Sequence, residues 1–227
     1  TVGMFDTPIF ANNGWIYNIS DLMEQYPDSV QADYNVDDLL AGVRIGVSVD
    51  DDLYSLPFYG ESSMVMYNTE ILDAAGIEMP EQPTWDEIRE IACAVHDPEN
   101  GQYGIVLRAL PGWGQGMAVM TTVVNTYGGD WFDENWEPQL NTPEWNEAIS
   151  FYINLINDCG QPGPTSVGFV EALTLMSQGQ AAMWVDATVA AGFLSDPAQS
   201  EIVDSLGTAP APVGPVAKGN HWLWSWN

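Results

Sequence analysis

Positive charge is almost missing from this sequence: four Lys plus Arg stand against 32 Asp plus Glu, a formal net charge of −28. Binding to a phosphate backbone or to anionic lipid draws on clustered Lys and Arg that release counterions, and no such cluster exists here. Nucleic acid is therefore excluded as a partner. Soft metal ligands are equally scarce, with Cys93, Cys159, His96 and His221 the whole supply, and their spacing fits no zinc site. Neither a metal nor any other cofactor is expected. No apolar run is long enough to span a bilayer as a helix. No GxSxG elbow, P-loop or dinucleotide fingerprint occurs, and Gly112-Trp113-Gly114 is too short and too far from basic residues to cradle phosphate. Thr1 does not open a charged segment followed by an apolar one, so any export signal is expected to have lain upstream or been removed.

What is present argues for a packed globular protein. Its 227 residues, 46% hydrophobic and 11% aromatic, suffice for one large domain or two ordinary ones. The acidic surplus reads as a solvated shell suited to salty surroundings, where screening is strong, in preference to a specific cation site. Cys93 and Cys159 lie far apart on two helical patterns. A disulfide is open to them in an oxidising compartment, but two buried free thiols are the favoured expectation.

Along the chain, short strands alternate with capped helices. TVGMF reads as a strand, followed by Asp6-Thr7-Pro8 as a helix start and Gly14 as its stop. A short helix is expected from Ser20, and another over Val36 to Gly46. Strands are expected over Leu53 to Phe58 and Ser62 to Tyr67, separated by Tyr59-Gly60-Glu61. Asn68 or Thr69 caps a helix that Gly76 ends. Thr84-Trp85-Asp86-Glu87 is a capping box, with Trp85, Ile88, Ile91, Ala92 and Val95 on one helical face. Tyr103 to Leu107 reads as a strand. Thr142-Pro143 opens a helix with Trp145, Ala148, Ile149, Tyr152, Leu155 and Ile156 inward, and Phe169 to Gln178 is the next. Ala181 to Val185 is a strand ending at Asp186, with a helix from Thr188. TAPAPVGPVAKG then reads as a proline-rich crossover before HWLWSWN. This order, without internal repeats, predicts an α/β protein with mostly parallel sheet.

Ligands of such sheets sit past the carboxyl ends of strands, where Phe5-Asp6, Asp186 and the segment Arg108 to Gly114 fall. Arg108 lies in LRALPGWGQGM, a loop stiffened by Pro111, Gly112 and Gly114 that carries Trp113. Either Arg108 forms an internal ion pair while Trp113 packs in the core, or the two face a ligand; the scarcity of positive charge favours the ligand. Trp222, Trp224 and Trp226 alternate, so in a strand the three indoles share one face. That face packs a core or stacks on the apolar C–H face of a sugar, whose hydroxyls carboxylates and Arg would take. Glu61 stands alone before the apolar run Met64-Val65-Met66-Tyr67, where a carboxylate needs hydrogen bonds or water. Asn18-Ile19-Ser20 matches a glycosylation sequon, a pattern common by chance.

Several blocks in order, FDTPIFANNGW, LPFYGESSMVMYNTEIL, YGIVLRALPGWGQGM, GGDWFDENWEPQLNTPEW, GQAAMWVDATVAAGF and KGNHWLWSW, resemble the solute-binding component of bacterial ABC sugar importers. The likeness spans essentially the whole chain. It is to the branch of mannitol-, sorbitol- and other polyol-binding proteins, and more distantly to maltose-binding protein. The resemblance implies two α/β lobes with a ligand cleft between them: residues 1–59 and 209–227 in an incomplete first lobe, 60–208 in the second. It implies Phe5, Asp6, Glu61, Arg108, Trp113, Asp186, Trp222 and Trp224 as ligand-binding residues, without catalysis. It further implies a periplasmic monomer that captures a sugar alcohol or small sugar and delivers it to the membrane permease. Family members are longer at both ends, so the sequence is expected to be part of a longer protein. The alternative is a glycoside hydrolase using Glu61 and Asp186 as its paired carboxylates. Arg108→Ala is expected to weaken ligand binding far more than stability.

Self-repulsion among the 32 carboxylates should make stability depend on screening. Melting temperature measured by circular dichroism should rise by several degrees as sodium chloride goes from roughly 0.05 to 1 M, because the Debye length shrinks to a few ångströms. A flat or falling trend would contradict an uncompensated acidic shell.

Overall fold

Side-chain caps at Asn18, Asn68 and Thr84 start three of the helices. The computed structural model describes residues 2–112, 114–216 and 222–227. In chain order its elements are α1 (Thr7–Asn12), α2 (Ile19–Met23), α3 (Asp28–Tyr34), α4 (Ala41–Gly46), β1 (Ser48–Val49), β2 (Asp52–Leu53), β3 (Tyr59–Glu61) and β4 (Ser63–Asn68). There follow α5 (Thr69–Ala74), α6 (Trp85–Val95), α7 (Gly116–Thr126), α8 (Pro143–Cys159), α9 (Phe169–Ser177), β5 (Met183–Ala187), α10 (Ala190–Leu194), β6 (Leu206–Pro210) and β7 (Trp224–Trp226). They form two units, Thr1–Ser62 with Leu223–Asn227, and Ser63–Trp222.

The larger unit is built on a three-stranded sheet ordered β5-β4-β6. Alternation along the strands sends Val65 and Val185 to one face, packed under α6, α7 and α8, and Met66 and Trp184 to the other, under α9 and α10. With both faces covered, the strands read as apolar runs. The mixed α/β class expected from the sequence holds, but the strand directions differ from the mostly parallel expectation. β4 is antiparallel to both neighbours, with Val65 opposite Val185 and Ala209. Parallel pairing enters through residues 103–107, bridged at Tyr103–Ala181, Ile105–Gly160 and Val106–Trp184. The chain reaches β4 directly from β3 and not through a crossover helix, so the rule that makes neighbours parallel does not act on it.

On α6, the Thr84 hydroxyl accepts from the Glu87 N–H at 3.2 Å and the Glu87 carboxylate accepts from the Thr84 N–H at 2.8 Å. This is the predicted capping box, and Trp85, Ile88, Ile91, Ala92 and Val95 are all buried. Residues 103–107 run so close to α6 that a methyl group at Gly104 would meet the Ala92 carbonyl. α6 and α8 pack together, which corrects the expectation of free thiols: Cys93 and Cys159 form a disulfide with Cα atoms 4.9 Å apart. Their sequence separation of 66 residues concealed this proximity. Closing a loop of that length restricts the unfolded chain by about 4 kcal/mol on the entropic model.

Other expectations also shift. Val36 to Gly46 divides into a 3-10 turn at Val36–Asp38 and α4. Residues 54–58 form no strand, while Tyr59–Glu61, read as a separator, is β3. Helices α3 and α7 lie where no helix was expected, and β6 occupies the start of the proline-rich crossover. β6 pairs with β4, and Val213 exchanges hydrogen bonds with Pro83 and Trp85, so residues up to Trp222 belong to the larger unit.

In the smaller unit β3 and β7 pair antiparallel, with Tyr59 opposite Trp226, Gly60 opposite Ser225 and Glu61 opposite Trp224. Residues 2–4 flank β7 through Val2 N–H to Asn227 O at 2.8 Å and Met4 N–H to Ser225 O at 3.2 Å. Met4, Val47 and Leu53 form its small buried cluster.

Candidate functional site

Two groups of predicted residues are assembled, one in each unit. In the larger unit Asp186, one residue before the end of β5, is fully buried, and residues 103–107 run into Arg108, only 6% exposed. The parallel bridge between Val106 and Trp184 sets these neighbours in register. Arg108 grips Asp186 bidentately: Nε donates to Oδ2 at 2.7 Å and Nη2 to Oδ1. Two further donors complete the carboxylate, Trp184 Nε1 at 2.8 Å and the Ala187 N–H at 2.6 Å. A buried ion pair is tolerated when its remaining lone pairs and protons are satisfied in this way.

The rest of Arg108 organises the loop after it. Nη1 donates to the Gly114 carbonyl at 2.8 Å, and the loop neck closes through Gly116 N–H to Leu110 O at 3.2 Å. Gly112 and Gly114 supply the left-handed backbone, with φ of 136° and 71°. The Phe169 ring lies under the guanidinium, 4.9 Å from Cζ. Tyr152 of α8 donates its hydroxyl to the Arg108 carbonyl. Burial pushes the Tyr152 hydroxyl up, Asp186 adds to the rise and Arg108 opposes it.

In the smaller unit the β3–β7 register puts Tyr59, Glu61, Trp224 and Trp226 on one face. Trp224 and Trp226 meet edge to face at 5.1 Å, and Phe5, 60% exposed, tilts against Trp224 at 5.4 Å. Gly3 lets the indole lie on the backbone, since a Cβ there would be 2.7 Å from Trp224 Cη2. The Tyr59 hydroxyl is raised by burial and then by the Glu61 carboxylate, so the two groups are electrostatically coupled. Asp6 is half-buried at the start of α1, and its side chain makes no capping bond. Aromatic faces beside a carboxylate can stack on C–H surfaces and accept hydroxyl protons.

Of the eight predicted residues, Arg108 and Asp186 meet in the larger unit, while Phe5, Asp6, Glu61 and Trp224 belong to the smaller one. Trp222 is half-buried ahead of β7. Trp113 lies outside the described residues. Tyr59 and Trp226 join the aromatic face without having been singled out, although the alternation of β3 and β7 carries the signal. Sequence reasoning also missed Tyr152 and Trp184, core residues by period whose polar tips finish the Arg108–Asp186 network.

The model for the family of bacterial extracellular solute-binding proteins matches residues 1–227. The chain belongs to this family. A mannitol-binding protein of Pseudomonas aeruginosa (strain PAO1) is 43% identical to it over 226 residues, covering 100% of this chain and 50% of that protein. An ABC transporter solute-binding protein from Agrobacterium vitis S4, solved with bound D-mannitol, matches with a TM-score of 0.90 at 43% identity, over 100% of this chain and 53% of that one. Another, from Agrobacterium radiobacter K84 in complex with ribitol, matches with a TM-score of 0.88 at 25% identity, over 100% of this chain and 55% of that one. The solute-binding chain thus spans about half the length of these relatives. It shares the two-lobed α/β fold of solute-binding proteins, a family of binders and not of enzymes. The glycoside hydrolase alternative finds no support: Asp186, one of its two carboxylates, is taken up by Arg108, Trp184 and Ala187.

Removing either partner strands a buried charge, so Arg108→Ala should cost about 3–5 kcal/mol of stability, read from urea unfolding midpoints. This replaces the expectation that the substitution spares stability, and an unchanged midpoint would refute the network. Alkali should also destabilise the fold. Tyr127 is pushed up to about 12, by burial first, then Asp86 and Glu147, with Arg89 opposing, and Tyr152 shifts the same way. A phenol with a raised folded pKa contributes stability that is complete below its ordinary value near 10 and is lost as pH rises through the folded value. Tyr152→Phe should therefore be less stable than the natural chain at neutral pH, by about 1 kcal/mol. Chemical denaturation should show that gap narrowing above pH ~10, and a constant gap would count against it.

Proposed function

We propose that this chain is the ligand-capturing part of an extracytoplasmic solute-binding protein, which takes up a sugar alcohol or small sugar and delivers it to an ABC importer permease. The observation that carries this reading is the 43% identity, over 226 residues, to a mannitol-binding protein. The fold match to a relative holding D-mannitol supports it further. The smaller unit belongs to one lobe and the larger unit forms the other. The protein works in the periplasm as a monomer, and no helix among the described residues is long and apolar enough to cross a membrane.

Residue roles follow from the chemistry of each unit. Trp224, with Phe5 and Trp226, offers stacking area worth roughly 25 cal/mol per Å² of apolar surface covered. Glu61 and Asp6 accept hydroxyl protons, each charged hydrogen bond contributing about 1.5–3 kcal/mol. Arg108 and Asp186 act by holding the 109–115 loop in position, since their polar atoms are largely committed to each other. A polyol, whose hydroxyls donate and accept at once, suits such mixed surfaces.

Titration calorimetry of the full-length protein against mannitol, sorbitol, xylitol, glucose and maltose tests this reading. A sugar alcohol should bind, Glu61→Gln should weaken it about tenfold or more, and Trp224→Ala should do the same through lost stacking. Absence of heat with every compound would sink the proposal.

A further inference from the structure

Residues 105–108, which lead into the Arg108 loop, are aligned on one side by a short run at the end of α8, whereas the Val106 N–H donates to the Met183 carbonyl and the Ala109 and Leu110 N–H groups to the Val167 carbonyl. The Ile105 N–H donates to the Cys159 carbonyl at 3.2 Å, and Ile105 bridges Gly160 in parallel. Gln161 then holds both sides of Leu107: Oε1 accepts from the Leu107 N–H at 3.2 Å and Nε2 donates to the Leu107 carbonyl at 2.7 Å. Gln161 is only 2% exposed. Its amide continues a ladder that the backbone cannot, because Pro162 has no N–H to offer. Tyr152, two turns earlier on the same helix, supports the Arg108 carbonyl. Everything that aligns 105–108 from this side is thus carried by α8 and its three-residue end.

That end is bolted to α6 by the Cys93–Cys159 disulfide, beside the surface ion pair of Arg89 and Asp158 at 2.8 Å. The ion pair is half-exposed and holds weakly, so beyond the apolar packing of α6 on α8 the covalent bond is the firm tie at this end. Its two sulfurs are unequal, since Cys93 is exposed whereas Cys159 is 1% exposed.

We propose that Cys93–Cys159 is a redox latch on the Arg108 loop. A dithiol reductant attacks Cys93 Sγ from solvent, and the S–S bond breaks as a mixed disulfide forms. The Cys159 sulfur leaves as a thiolate and takes a proton. The reductant's second thiolate then displaces the Cys93 sulfur, which is protonated in turn. The reductant ends as a disulfide, and two electrons have reduced the protein's bond to two thiols. Residues 159–161 lose their covalent tie, Ile105 and Leu107 loosen, and the loop held by Arg108 becomes a poorer part of the binding surface. Cys159 itself sits in the buried cluster with Val65, Ile88, Leu155 and Val185, whose apolar contacts remain once the bond is broken, so the unit stays folded.

The effect on binding rests on the polyol reading, whereas the local loosening does not. Hydrogen exchange by mass spectrometry on the full-length protein, oxidised and treated with dithiothreitol, tests the latch. The amides of Ile105 and Leu107 should exchange about tenfold faster after reduction while β4 and α9 keep their protection. The Cys93→Ser, Cys159→Ser double variant should behave like the reduced protein and ignore the reductant. Unchanged exchange at Ile105 and Leu107, or equal loss of protection throughout the unit, would overturn the latch. Calorimetry with D-mannitol should show weaker binding after reduction, by about threefold or more, and equal affinity in both forms overturns the effect on the ligand. If neither form binds D-mannitol while exchange still separates them, the latch stands and the polyol reading falls.

Discussion

Two charges removed from water must be repaid by each other and by every neighbouring dipole, and the Arg108–Asp186 pair organises the larger unit on that condition. The bidentate contact requires the end of β5 and the end of residues 103–107 to lie side by side. Trp184 and Ala187 then complete the carboxylate, while Gly114 and the Phe169 ring complete the guanidinium. Each of these groups sits on a different segment, so one ionic contact fixes β5, α9 and the 109–116 loop together. Low dielectric raises both the strength of such a network when whole and the cost of leaving any member unpaired.

The two units meet different physical demands. The larger buries a continuous apolar sheet on both faces and adds a disulfide between α6 and α8, so its polar machinery rests on a rigid scaffold. The smaller has only Met4, Val47 and Leu53 in its buried cluster, yet it displays the aromatic face of Tyr59, Trp224 and Trp226 with Phe5 beside it. Rigid charge positioning thus marks one unit and a half-buried aromatic face the other.

Much of this was legible where the signal is local. The capping box at Thr84, the Pro143 start of α8 and the inward faces of α6 and α8 follow from patterns within one or two helical turns. The alternation of indoles at 222–226 announced a shared face, and β7 delivers it for Trp224 and Trp226. α7 escaped notice because Gly114 and Gly116 frame its start and its apolar residues lack a sharp period. β6 escaped because proline density reads as loop, although Pro210 sits at the strand's end, where its missing N–H costs little. The parallel order was misread because the direction of β4 depends on how the chain reaches it.

By itself the sequence determined the acidic, packed α/β character, the main helices and the residue types able to meet a polyol, since these depend on composition and short-range periodicity. Tertiary structure alone decided the partners: Arg108 with Asp186, Cys93 with Cys159, Glu61 opposite Trp224, Gln161 around Leu107. Each of these pairs spans tens to hundreds of residues of chain. Distance between such residues is set by how sheets and helices pack, a many-body outcome that no local pattern encodes.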